Sequence, residues 1–183
     1  MSHRSIGLAV LFLLAGVFHT PGRCEPESAY ILKGALQGDL ELVKQQLAAG
    51  TSANATNDRG LSALMIAALK GHLQLVELLI KNGAKVNHKD NSGMSALMAA
   101  SSQGKLEVAS ALIRAGAEIN SRSNNGSSAL LLAAATGRVD IVKILLAGGA
   151  SLKEKNAAGL SAKDIAAIGN HQALVDYLSK LEN

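Results

Sequence analysis

Between residues 73 and 81 the chain sets Leu75, Val76, Leu78, Leu79 and Ile80 among polar neighbours. Apolar positions spaced this way form one broad face on a helix, so the pattern predicts a helix over 73–81. The same face returns as Ala109, Leu112 and Ile113, and again as Ile141, Val142, Ile144, Leu145 and Leu146. A shorter, alanine-rich apolar stretch precedes each one. Residues 60–72 read GLSALMIAALKGH and residues 93–105 read GMSALMAASSQGK. A serine directly before an apolar helical pattern is a good N-cap, because its oxygen accepts an orphan backbone N–H. Ser62, Ser95, Ser128 and Ser161 are predicted to fill that role. Gly71, Gly104 and Gly137 are expected to close the short helices, and Gly83, Gly116 and Gly149 the longer ones, by supplying left-handed backbone.

These features keep a strict period. Gly60, Gly93, Gly126 and Gly159 are evenly spaced along the chain. In step with them come Ala63, Ala96, Ala129 and Ala162, then Leu64, Leu97 and Leu130, then Ala67, Ala100, Ala133 and Ala166. Farther on stand Ala84, Ala117 and Ala150, then Val86, Ile119 and Leu152, and Asn87 and Asn120. A fixed period of this length marks stacked repeats. The last copy departs, with Lys163 for the leucine, Asp164 for a methionine or leucine, and Asn170 for a glycine, and is expected to stop near Leu178. Residues 28–57 lack the G-x-S-A-L opening but keep Gly38, Leu42, Val43, Leu47, Gly50 and Asn54 at matching offsets. Atypical end copies are what a solenoid needs as caps, and Tyr30 and Tyr177 fall in them.

The spacing resembles the ankyrin repeat, over about residues 28–180. That family opens G-x-T-P-L-H-x-A-A and closes near L-L-x-x-G-A-x-x-N, whereas this chain opens S-A-L-M or S-A-L-L. The resemblance implies an all-α solenoid of helix-turn-helix units joined by β-hairpin-like turns. About five repeats are expected, at about 28–57, 58–90, 91–123, 124–156 and 157–181, two capping and three internal.

Composition fits small, regular helix packing. Aromatic residues make up 2% of the 183 and apolar residues 48%, so the core must be built from Ala, Leu, Ile and Val. Residues 1–24 differ from the rest. Arg4 precedes an uncharged apolar run over 6–18, and small residues Gly22 and Cys24 sit before Glu25. A run of that length is too short to span a bilayer, which needs about 20 residues, and the pattern reads as a signal peptide cut between Cys24 and Glu25. The mature chain, residues 25–183, then has no cysteine. The formal charge falls from +4 to +2, because Arg4 and Arg23 leave and no acid does. A thiol-free chain suits an oxidising compartment, and the expected location is periplasmic or secreted. The S-A-L-M wording resembles bacterial ankyrin proteins, which points to a Gram-negative periplasm.

Candidate chemistry is sparse. A nucleophile elbow needs G-x-S-x-G, but its fifth place here is Leu64, Leu97, Leu130 or Lys163. Met65 and Met98 read as core fillers. His72, His88 and His171 form no metal-ligand spacing, and no phosphate loop or dinucleotide fingerprint occurs. Lys70, Lys81, Lys85 and Lys89, with Arg59 nearby, read as a solvated face. A nucleic-acid surface would need more charge and aromatic platforms. The chain is expected to be no enzyme, with no catalytic residue, metal ligand or cofactor.

The resemblance implies binding of another protein on the concave face made by turn tips and first helices. By position, the tips are Arg59 and Leu61, Ser92 and Met94, Asn125 and Ser127, and Ala158 and Leu160. The exposed ends of first helices are Leu69 and Lys70, Ser102 and Gln103, and Ala135 and Thr136. Interface hot spots favour Trp, Tyr and Arg, and this face has few of them. The expected function is an exported protein-binding adaptor, monomeric, with no nucleic-acid partner and no stable membrane insertion after leader removal. The alternative is a dedicated protective or inhibitory partner of one exported enzyme.

Overall fold

A computed structural model describes residues 27–182. Residues 1–26, Cys24 and Glu25 included, lie outside the described residues, as does the expected leader cleavage. The described residues form helices in five successive pairs: α1 (Glu27–Gln37) with α2 (Leu40–Ala48), α3 (Ala63–Lys70) with α4 (Leu73–Lys81), α5 (Ala96–Ser102) with α6 (Leu106–Arg114), α7 (Ala129–Ala135) with α8 (Val139–Ala147), and α9 (Ala162–Ile168) with α10 (Gln172–Glu182). Extended turns join the pairs, closed by isolated antiparallel bridges between Thr56 and Ser62, Lys89 and Ser95, and Lys155 and Ser161.

Each first helix after the opening pair starts where the serine pattern predicts. Ser62 Oγ accepts from Met65 N–H, Ser95 Oγ from Met98 N–H and Ser128 Oγ from Leu131 N–H, at 3.3–3.4 Å. Ser161 and Asp164 form a reciprocal capping box. In the opening pair Asp39 caps α2, accepting from Leu42 N–H at 2.9 Å. Helix ends reverse through left-handed backbone, as at Gly71 with φ 87°. Asn170 takes φ 58° where other copies have glycine, a conformation asparagine tolerates better than most residues. The last helix runs past Leu178 to Glu182, because no glycine or proline occurs among residues 179–182 to stop it.

One core cluster runs from Ile31 to Leu178. Leu75, Leu79, Leu112 and Leu145 point from the second helices into it, and Leu64, Leu97, Leu130 and Leu131 from the first. Burial of each such leucine is worth about 1.5–3 kcal/mol. The first helices meet one another through fully buried alanines, among them Ala67, Ala100, Ala133 and Ala166. Small side chains let backbones approach, so first helices pack more closely on each other than second helices do. A stack with one closely spaced layer bends toward that layer, which puts the first helices on its inner side.

Candidate functional site

The turn tips are closed by side-chain hydrogen bonds. Asn57 Oδ1 accepts from the N–H groups of Arg59 and Leu61, both at 3.0 Å. Asp90 Oδ1 accepts from Ser92 N–H at 2.9 Å and Met94 N–H at 2.8 Å. Asn156 Oδ1 repeats the arrangement with Ala158 and Leu160, and Asn125 Oδ1 accepts from Ser127 N–H. Such side-chain-closed turns mimic backbone turns. The tips also bind one another. Asn91 N–H donates to Arg59 O at 3.1 Å, Asn124 N–H to Ser92 O at 2.9 Å, and Ala157 N–H to Asn125 O at 3.3 Å.

A second ladder lies behind the tips. Asn54, Asn87 and Asn120 each donate Nδ2 to a glycine carbonyl of the next repeat, at Gly83, Gly116 and Gly149. Each Oδ1 accepts from a backbone N–H of that same loop, at Lys85, Glu118 and Ser151. The period therefore records inter-repeat bonding as well as helix placement.

The residues picked out in the sequence divide by exposure. Arg59, Ser92, Asn125 and Ala158 are exposed in one file along the tips. Leu69, Lys70, Gln103, Ala135 and Thr136 are exposed at the ends of first helices. Ser102 is half-buried, and its hydroxyl donates to Ala99 O at 2.9 Å. Leu61, Met94, Ser127 and Leu160 are half-buried, and Leu61 and Met94 pack partly against the core. Two residues outside the predicted set join the first-helix file. Leu36 is 52% exposed and Ile168 is 68% exposed. Both stand in the register of Leu69, Ser102 and Ala135, so the period carried into the caps is the signal that finds them.

The candidate chemical groups have structural partners. Ser62, Ser95 and Ser128 are almost fully buried, with their oxygens accepting cap bonds. Met65 and Met98 are buried in the core. His88 Nε2 lies 2.8 Å from Gly60 O and His171 Nε2 lies 3.1 Å from Ala135 O. The His72 ring covers Gly38. Among the described residues, no three His, Cys, Asp or Glu side chains converge as metal ligands, and no helix is long and apolar enough to cross a membrane. The Asp164 carboxyl is held below its ordinary value, first by the Ser161 hydroxyl, then by the Ser161 backbone N–H, with smaller help from Lys155 and Lys163 against a desolvation cost. That shift belongs to a helix cap.

The family model described as ankyrin repeats (3 copies) matches residues 31–123 and 112–183. A search among curated proteins finds no match to the chain.

Proposed function

The chain belongs to the ankyrin repeat family, and we propose that it is an exported, non-enzymatic adaptor that binds a partner protein. Ankyrin repeats mediate protein–protein interaction, and the family is typically non-enzymatic. One observation carries the choice of surface. Leu36, Leu69 and Ile168, three large exposed apolar side chains, share one register at the ends of first helices. Exposed apolar surface that the fold does not cover is what a partner can bury. The file lies at the C-terminal ends of the first helices, on the inner side of the stack. Support for export comes from residues 1–24: a basic start, an apolar run and small residues before Glu25.

Affinity capture from the exported fraction tests both parts. The wild-type chain is expected to retain a specific partner that Leu69→Asp with Ile168→Asp loses. Equal recovery by the variant would remove the first-helix file from the binding site. Sequencing of the mature N-terminus is expected to begin at Glu25, and a protein that retains Met1 would defeat the export reading.

A further inference from the structure

The turns carry cations in a file. Lys89, Arg122 and Lys155 occupy one register in three consecutive repeats, and all three are exposed. Lys89 Nζ donates to the Arg122 carbonyl at 2.9 Å, and the Arg122 guanidinium donates to the Lys155 carbonyl. Neutral carbonyls hold Lys89 and Arg122 in line without cancelling their charge. The ion pairs between Lys44 and Glu41 and between Lys143 and Asp140 lie elsewhere, on α2 and α8.

Two clefts open along this file. One, of about 570 Å³, is lined by Asn120, Arg122, Ser151, Lys153, Glu154 and Lys155. The other, of about 580 Å³, shares Lys153 and Lys155 and adds Leu152, Lys163, Leu181 and the capped Asp164. Lys153 stands where Asn54, Asn87 and Asn120 stand in earlier repeats, so a charge replaces an amide of the ladder. Of the acids, Asp164 is engaged by Ser161. Both Glu154 carboxylate oxygens are shielded from solvent and make no hydrogen bond. Glu154 and Asp164 keep their negative charge, but Arg122, Lys153, Lys155 and Lys163 outnumber them in the two clefts, so the rim is net positive. Leu181, 46% exposed, and Leu152 give the second cleft an apolar wall.

We propose that this rim docks an acidic segment of a partner protein. Its carboxylates would lie against Arg122, Lys153 and Lys155, and an apolar side chain would seat on Leu152 and Leu181. The proposal rests on the protein-binding reading above and adds the chemistry of the partner. Arg122, already held in line, loses less freedom on binding than a mobile cation. Packed helices lie about 8–10 Å apart, and a polyproline II segment rises about 3.1 Å per residue with three residues per turn. Carboxylates at every third position of such a segment lie on one face at about 9 Å spacing and therefore match the file of Lys89, Arg122 and Lys155. Single-stranded nucleic acid fits less well, because it needs aromatic stacking platforms and no aromatic ring lines either cleft.

The test is selection of a random phage-displayed peptide library on the full chain, followed by affinity measurement on the wild type and two variants. Enriched peptides are expected to be net negative and to carry an apolar residue. Arg122→Glu with Lys153→Glu and Lys155→Glu should weaken them about tenfold or more, since each exposed charge pair contributes modestly. Raising salt from about 50 to 300 mM should also weaken them. Thermal melting checks that the charge-reversed variant is folded. Neutral or basic binders, or binders unaffected by charge reversal, overturn the proposal. If such binders are lost with Leu69→Asp and Ile168→Asp, the broader protein-binding reading stands without it. Tighter binding of an oligothymidylate or of phosphatidylserine vesicles through the same three cations also overturns it. A library that yields no binder defeats both readings.

Discussion

Gly93 and Gly116 hold nearly the same backbone, with φ 77° and φ 85°, yet substitution by alanine should cost different amounts. A Cβ on Gly116 would meet nothing within 4 Å. Gly116→Ala therefore carries left-handed strain alone, about 1–2 kcal/mol. A Cβ on Gly93 would lie 2.6 Å from Asn124 Oδ1, 2.8 Å from Asn124 backbone N and 3.0 Å from Ser123 Cα. A side-chain oxygen can swing aside, but the backbone of the next turn cannot. Its N–H is held by the 2.9 Å bond from Asn124 to Ser92 O. Forcing a methyl group into packed space adds about 1–3 kcal/mol, so Gly93→Ala should lose about 2–5 kcal/mol in all. Urea denaturation followed by far-UV circular dichroism measures both losses. Equal losses at the two positions would refute the argument that close turn-to-turn stacking demands glycine at Gly93. A neutral Gly116→Ala would refute the strain assignment itself.

Other expectations follow from the same contacts. Asn87→Ala removes the donor to Gly116 O and the acceptor for Glu118 N–H and should lose about 1–2 kcal/mol in the same denaturation assay. An unchanged midpoint would mean that the ladder does not couple repeats. Ser95→Ala should lose about 0.5–2 kcal/mol as a missing helix cap, with partner binding retained at temperatures where the variant is folded. Leu112, fully buried, should lose about 2–5 kcal/mol on change to alanine, measured by equilibrium unfolding. Because Asp164 has a lowered pKa, its carboxylate contributes stability above the ordinary value of 3.8. That contribution fades as pH falls through the lower folded-state value. The stability gap between wild type and Asp164→Asn should therefore shrink from about pH 5 to pH 2. A gap that stays constant in melts across that range would show that the capping box does not depend on the charge.

The amino-acid order by itself determined what depends on near neighbours. A serine caps a backbone N–H three residues away, a glycine reverses a chain within one residue, and a helix face needs partners three or four positions off. Repeated at one period, those rules predicted the first-helix starts after Ser62, Ser95, Ser128 and Ser161, and the 73–81 prediction coincides with α4. The end of α10 was less legible, because the stop signal of the inner repeats is missing there. Exposure was decided only by the tertiary structure, because it depends on side chains contributed from the adjoining repeats. Leu61 and Met94 read as tip residues but are partly covered, whereas Leu36 and Ile168 in the caps stand open. The basic rim has the same origin. Arg122 and Lys155 lie a full repeat apart in the chain, and only the stacking of one repeat on the next makes them neighbours that share a cleft.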